Sequence, residues 1–259
     1  MRARTLFTVI ATPALILSLA GLVHAAPALA VANGTAAAAG QDPFAVRLVM
    51  THIPRPDGTY YDSACSAALI SPTWIITAGH CFHDVNRNRV SGPVPYPTTA
   101  TLNTNDLSRS AGEVRSIVSV QQSRSTDVAL AKLSSPITDV TPLALSRTKP
   151  STGMIVTLAG WGATSSVNPA PSNTLNLGQM KISSVKNSVV SVVGYSPSTS
   201  TSACLYDSGA PYFTTPASAP PQLVSVESDG PDCPHTTPET TARTDNIVTW
   251  IKSVATDGP

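Results

Sequence analysis

The sequence carries little charge. Asp, Glu, Lys and Arg make up only 12 % of the 259 residues, and the formal net charge at pH 7 is +1. No cluster of Lys and Arg and no acidic tail is present. Nucleic-acid-binding domains concentrate basic residues on one face. The composition therefore argues against a nucleic-acid partner.

Aromatic residues are also scarce, at 5 %, whereas Ala, Ser, Thr, Val and Pro dominate. This composition suits short strands and many turns better than long helices. Short apolar runs rich in β-branched residues alternate with clusters of Gly, Pro, Asn and Ser, a pattern that predicts strands. The predicted strands are 44–50, 66–70, 74–78, 114–120, 127–133, 154–160, 175–185, 188–195, 211–215 and 222–228. The sequence thus indicates an all-β protein in two halves that divide near residues 146–153, with a proline-rich surface loop at 90–99.

Only the C-terminus has a helical pattern. Ile247, Ile251 and Val254 follow an i, i+4, i+7 spacing and would form one apolar face, with Trp250 beside it. Thr244 is the predicted N-cap of this helix.

Long apolar runs are absent apart from residues 6–23, which follow Arg2 and Arg4 and precede the small residues of 24–30. This order is typical of a secretory signal peptide. Pro13 and the weak apolarity around it argue against the alternative, a membrane anchor. We therefore expect residues 1–30 to be a signal peptide and the mature protein to be secreted, extracellular and free of the membrane.

Four cysteines remain after such cleavage: Cys65, Cys81, Cys204 and Cys233. An even number in an exported chain predicts two disulfides, each stabilising the fold by about 3 kcal/mol. Three pairings are possible, and Cys65–Cys81 with Cys204–Cys233 closes the shortest loops. The sequence has no CxxC motif, no close His/Cys cluster and no clear acidic pair for calcium, so neither a metal nor a cofactor is expected.

Three polar residues stand at positions suited to chemistry. His80, in TAGHC, follows an apolar strand and precedes a cysteine, so it is held at a strand end. Asp127 opens an alternating apolar run, where it could cap the strand or orient an imidazole. Ser208 lies between Asp207 and Gly209, and the glycine permits a tight turn around the serine.

Together these stretches resemble the chymotrypsin/trypsin family of serine proteases, in its secreted bacterial-type form. The resemblance rests on WIITAGHC, DVALAKL, AGWG (159–162), CLYDSGAP, the segment 31–49 and the C-terminal helix, and it covers residues 31 to 255. It implies two antiparallel six-stranded β-barrels with the active site between them. The first barrel would span 31–147, and the second barrel with the helix 148–259. A monomer is expected.

The resemblance also implies a catalytic triad. Ser208 would attack a peptide carbonyl, His80 would accept and return its proton, and Asp127 would hold the imidazole. The expected function is a serine endopeptidase that acts on proteins or peptides through an acyl-enzyme. Because His80 must be neutral to act as a base, activity should fall in acid.

The oxyanion hole is where the sequence departs from the family. Its two donors would be the backbone N–H groups of Tyr206 and Ser208, and the family normally has glycine in place of Tyr206. A left-handed backbone costs a residue with a side chain about 1–2 kcal/mol, and a lost donor slows catalysis about 10²–10³-fold. Tyr206 therefore supports an alternative, a protease-like binding protein with little or no turnover. An esterase on the same fold is a third reading.

The resemblance further pairs a new amino terminus at Val31 with Asp207. Cleavage after Ala30 would create that terminus directly. Cleavage after Ala25 would leave a short propeptide, APALA, and Pro27 favours this second route.

Specificity is implied by three positions. Ser202 would lie at the base of the substrate pocket, where trypsin-like members have aspartate, and Glu239 would line its wall. The carboxylate of Glu239 would attract Lys or Arg or narrow the pocket. Ser225 or Ser228 would occupy the family's serine position on the strand that binds substrate backbone, with Glu227 beside the cleft.

Overall fold

A computed structural model describes residues 31–256. The predicted signal peptide lies outside these residues. Within them the chain forms fifteen strands, two short 3-10 helices (Gly79–Cys81 and Asp245–Ile247) and one α-helix, α1 (Val248–Val254). The strands are β1 (Thr35–Ala36), β2 (Ala45–Pro54), β3 (Tyr60–Ser71), β4 (Trp74–Ala78), β5 (Gly92–Pro93), β6 (Thr98–Leu102), β7 (Glu113–Gln122), β8 (Val128–Leu133), β9 (Ala144–Leu145), β10 (Ile155–Gly160), β11 (Asn176–Val185), β12 (Val189–Ser196), β13 (Pro211–Thr214), β14 (Gln222–Asp229) and β15 (Glu239–Arg243).

The strands close into two antiparallel six-stranded barrels, which confirms the predicted fold. In the first barrel the order is β7-β6-β2-β3-β4-β8, closed by pairing of β7 with β8. In the second the order is β11-β10-β13-β14-β15-β12, closed by pairing of β11 with β12. Closure leaves neither barrel with an unpaired edge.

Three short strands lie outside the barrels. The first, β5, pairs with β7, while β1 pairs with β11 and β9 runs parallel to β14. Thus β1 and β9 belong to the sheet of the second barrel, although both precede the sequence divide near residue 147. The segment at Val31 is tied to the same half, because Ser202 N–H donates to the carbonyl of Ala32 at 3.1 Å.

The C-terminal helix forms where the apolar spacing predicts it, and Thr244 is the N-cap residue of the 3-10 turn that leads into it. The Thr244 hydroxyl donates to the Val224 carbonyl at 2.8 Å and makes no capping bond. The predicted N-cap position is confirmed, but the side chain does not cap the helix, because β14 offers that hydroxyl another acceptor. Ile247 and Ile251 are buried in the main core, as the pattern predicts.

Both local disulfides form, Cys65–Cys81 and Cys204–Cys233. The first fastens the 3-10 helix that carries His80 to β3. The second fastens the loop that carries Ser208 to the loop after β14. No helix between residues 31 and 256 has the length and apolar character needed to cross a membrane.

Candidate active site

Strand pairing brings His80 and Asp127 together. His80 lies directly after β4, Asp127 lies directly before β8, and these antiparallel strands pair Ala78 with Val128. The His80 Nδ1 atom is 2.7 Å from Asp127 Oδ2, and the His80 backbone N–H donates to Asp127 Oδ1 at 2.9 Å. The carboxylate therefore fixes both the ring and its backbone, and it favours the tautomer with a proton on Nδ1.

Asp127 is itself held by a residue of the other barrel. The Ser228 hydroxyl donates to Asp127 Oδ2 at 2.8 Å, and Arg89 Nη1 is 3.5 Å from Oδ1. Burial acts to raise the pKa of Asp127, but the hydrogen bonds from His80 and Ser228 outweigh burial and leave that pKa below its usual value. Asp127 is therefore an anion at neutral pH, able to stabilise an imidazolium.

Ser208 lies on the loop between Cys204 and β13. Its carbonyl accepts from Ser66 N–H at 2.9 Å, and the next residue, Gly209, has φ of +84° and donates to the Glu227 carbonyl at 2.8 Å. A Cβ on Gly209 would come within 2.0 Å of Thr77 Oγ1, so only glycine fits this turn. Ser208 and His80 line one cavity of about 470 Å³ between the barrels.

Tyr206 adopts the backbone conformation that glycine favours. Its φ is +74°, and its carbonyl accepts a hydrogen bond from Ser66 Oγ at 3.1 Å. That hydroxyl also accepts from Trp161 N–H at 3.1 Å, which fixes its orientation. Within residues 31–256 neither the Tyr206 nor the Ser208 backbone N–H donates to a protein acceptor. The loop therefore accommodates a tyrosine at positive φ, and neither N–H is committed to an acceptor among these residues.

Asp207 is fully buried behind this loop. It accepts hydrogen bonds from the backbone N–H groups of Gly162 at 2.7 Å and Cys204 at 3.0 Å, and also from Val31. Burial raises its pKa to about 7, although those three hydrogen bonds act to lower it; the neighbouring Glu239 adds to the rise.

The AGWG motif makes room for this carboxylate. A Cβ on Gly160 would come within 2.0 Å of Asp207 Oδ1, and one on Gly162 within 2.4 Å of Asp207 Cγ. Neither glycine has an unusual φ, so their role is to let the Asp207 carboxyl approach the backbone closely.

Comparison with known proteins agrees with this geometry. The family model described as Trypsin matches residues 31–251. The chain belongs to the trypsin family. A serine protease of Scolopendra subspinipes, SSP1, is 29% identical over 163 residues, which is 60% of this chain and 55% of that protein. The snake venom serine protease HS114 of Bothrops jararaca is 27% identical over 104 residues, 38% of this chain and 39% of that protein.

The trypsin-family chain thus spans about half the length, or less, of these relatives. The family match identifies residues 31–251 as a trypsin-family domain.

The cavity of this trypsin-family domain is lined by two buried glutamates, Glu227 and Glu239. Glu239 accepts from the Ala203 N–H at 3.1 Å and lies 3.3 Å from His235 Nε2. The Tyr212 hydroxyl is 2.7 Å from both Glu239 Oε1 and Glu227 Oε2. The Tyr212 hydroxyl has one hydrogen and can donate to only one of the two glutamates, so the other glutamate must itself be protonated and donate to the Tyr212 oxygen. Burial and the nearby Glu239 raise the pKa of Glu227 well above its usual value, so Glu227 carries the second proton.

Two of the predicted pocket residues lie elsewhere. Ser225 is fully buried, is hydrogen-bonded to Thr241 Oγ1 at 2.7 Å and does not line the cavity. Its assignment to the substrate pocket is therefore corrected: Ser228 is the serine at the cleft, in contact with Asp127. Ser202 is also fully buried behind the cavity wall, and its hydroxyl has no partner within residues 31–256.

Sequence reasoning missed Ser66 and Tyr212. Ser66 looked like one more small residue of a strand, and Tyr212 looked like part of an apolar core run. No local signal marks either one, because their partners lie far away in the sequence.

Proposed function

We propose that this chain is a secreted serine endopeptidase that hydrolyses peptide bonds through Ser208, His80 and Asp127. The observation that carries the proposal is the His80–Asp127 contact of 2.7 Å, with His80 and Ser208 lining one cavity. The substrate is a protein or peptide, in keeping with the trypsin family.

In this mechanism Ser208 Oγ attacks the scissile carbonyl as His80 Nε2 takes its proton. The negative oxygen of the tetrahedral intermediate accepts from the Tyr206 and Ser208 backbone N–H groups. His80 then protonates the leaving amine and an acyl-enzyme remains. Water, deprotonated by His80, hydrolyses the ester and restores Ser208.

The active form begins at Val31 in this proposal. The Val31 backbone N–H is already hydrogen-bonded to the buried Asp207. Cleavage before Val31 would replace that amide with an ammonium group, which compensates a buried carboxylate far better. The pair would hold the loop that carries Tyr206 and Ser208.

The carboxylate of Glu239 gives the primary pocket a preference for Lys or Arg. Glu239 is held rigidly by Tyr212 and Ala203, so it is a fixed acceptor at the pocket wall. Ser202, which does not line the cavity, adds no charge to it.

The test is labelling by a fluorophosphonate probe, with protein that begins at Val31 and with Ser208→Ala as the matched control. We expect stoichiometric labelling that the control abolishes, followed by cleavage of peptides after Lys or Arg. Folded protein that resists the probe would overturn the enzyme proposal in favour of a binding protein. Labelling with turnover of esters but not of peptides would identify an esterase.

A further inference from the structure

The cavity beside Ser208 has walls of opposite charge. One wall holds only carboxylates among its charged side chains: Asp229, Asp232 and Glu239, with the protonated Glu227 beside them. The other wall follows His80 along the chain and holds His83 and Arg87. A substrate lying across Ser208 therefore meets a negative surface on one side and a positive surface on the other.

The positive wall is centred on Tyr61. The Arg87 guanidinium carbon lies 5.4 Å from the centre of the Tyr61 ring, and that of Arg55 lies 4.5 Å from it. Arg87 Nη1 is also 3.1 Å from His83 Nε2, and the Tyr61 hydroxyl is 3.4 Å from the same nitrogen. Stacking on an aromatic ring holds a guanidinium in place while leaving its N–H groups free to bind a ligand.

The charge of Arg87 is not compensated by an ion pair among the described residues. Within residues 31–256 no carboxylate lies within 4.0 Å of Arg55 or Arg87, whereas other arginines such as Arg115 and Arg243 have such partners.

The nearest acidic residues in sequence are occupied. Asp57 Oδ1 accepts from the N–H and hydroxyl of Thr59, and Asp84 accepts from Asn86 and Asn88. Asp57 nevertheless interacts electrostatically with Arg55, and Arg55 Nη1 donates to the Tyr60 carbonyl at 3.2 Å, so Arg87 is the guanidinium over this ring that is left for a ligand.

The direction of proton transfer places the leaving-group side of the substrate along the wall that holds Arg87. His80 must protonate the departing amine, so the part of the substrate after the scissile bond passes the residues that follow His80: the Cys65–Cys81 disulfide, His83 and Arg87. The acyl part lies on the opposite side, against Ser228 and Glu239.

We propose that Arg87 binds a carboxylate side chain of the substrate one or two residues after the cleaved bond. The inference rests on the proposed endopeptidase function and names the substrate class more closely. The preferred substrate carries opposite charges on the two sides of the cleaved bond, with Lys or Arg before it and Asp or Glu shortly after it. The guanidinium forks a carboxylate with two N–H donors, which a lysine side chain in its place would not do.

The experiment uses peptides that differ only at the two positions after the cleaved bond, carrying Glu, Gln or Lys there. We expect kcat/KM to be about fivefold higher for Glu than for Gln, the effect of one exposed ion pair. The preference should fade in high salt. A single-residue ester with no residues after the bond measures the basal activity.

Three variants make the test decisive. Arg87→Gln should bring the Glu/Gln ratio close to 1, and Arg87→Glu should reverse it in favour of Lys, a change of sign that misfolding does not produce. Arg147→Gln, an exposed arginine away from the cavity, is the matched control and should keep the ratio. An active enzyme with no preference for Glu, or an unchanged ratio in Arg87→Glu, overturns this inference alone. Failure to turn over the ester as well overturns the proposed function.

Discussion

The buried carboxylate of Asp207 should make folding of the precursor sensitive to pH. We compare two forms: protein that begins at Val31, and protein that retains APALA before it. In the longer form residue 31 contributes a neutral amide, and burial holds the pKa of Asp207 at about 7 against an ordinary value of 3.8. The folded state therefore keeps a proton that the unfolded state has lost between pH 4 and pH 7.

Stability of the longer form should fall as the pH rises through this window, because the unfolded state binds fewer protons than the folded state. A pKa difference of about 3 corresponds to about 4 kcal/mol, lost between about pH 4 and pH 7. In the shorter form the Val31 ammonium lies at the carboxylate, favours its charged form and removes this loss. The difference in unfolding free energy between the two forms should thus widen by about 4 kcal/mol over these three pH units.

The assay is urea unfolding followed by tryptophan fluorescence at pH 4, 5, 6 and 7, in a Ser208→Ala background that prevents self-cleavage. Asp207→Asn in the longer form is the control and should remove the contribution of this carboxylate to the pH dependence. Identical pH profiles for the two forms would refute the reasoning, as would a longer form that gains stability from pH 4 to pH 7 relative to its Asp207→Asn control.

Three further substitutions probe the catalytic loop. Gly162→Ala places a Cβ within 2.4 Å of Asp207 Cγ and should lower the unfolding free energy by about 1–3 kcal/mol in a urea titration; unchanged stability would contradict the close-approach role. Ser228→Ala removes the 2.8 Å hydrogen bond to Asp127 and should lower kcat/KM about tenfold while raising the pKa of Asp127, and an unaltered pH–rate profile would count against it. Tyr206→Gly should change kcat/KM less than about threefold, because φ is already +74°; its stability should rise by up to about 1 kcal/mol, as relief of the left-handed strain exceeds the entropy cost of glycine. A hundredfold gain in rate would show instead that the tyrosine disables the oxyanion hole.

The strands and the division into two halves were predictable because their signals are local, whereas the two-barrel architecture came from the resemblance to a known family. Apolar runs of strand length and clear turn residues define two halves, and the short Cys65–Cys81 and Cys204–Cys233 loops fit the observed disulfides. The sequence motifs also single out His80 and Asp127, whose contact follows from the pairing of β4 with β8.

The details that failed depend on contacts between distant strands. The register of β14 shifts at a bulge between Glu227 and Asp229, so counting along the strand could not decide between Ser225 and Ser228. The loop imposes the positive φ of Tyr206, and the residue type, tyrosine, does not indicate it. The Glu227–Tyr212–Glu239 cluster joins three strands, and periodicity reveals only that each strand is buried.

Ser66 has a consequence for how the two halves of the molecule work together. It belongs to the first barrel, yet its hydroxyl binds Tyr206 and Trp161 and its N–H binds the Ser208 carbonyl, all in the second barrel. The first barrel, which carries His80, therefore also positions the loop that carries Ser208. If the two barrels were expressed as separate fragments and mixed, correct docking would itself set the alignment of nucleophile and base. Recovered activity would then measure how well the two halves dock. Loss of the Ser66 hydrogen bonds would misalign Ser208 and His80 while each barrel stayed folded.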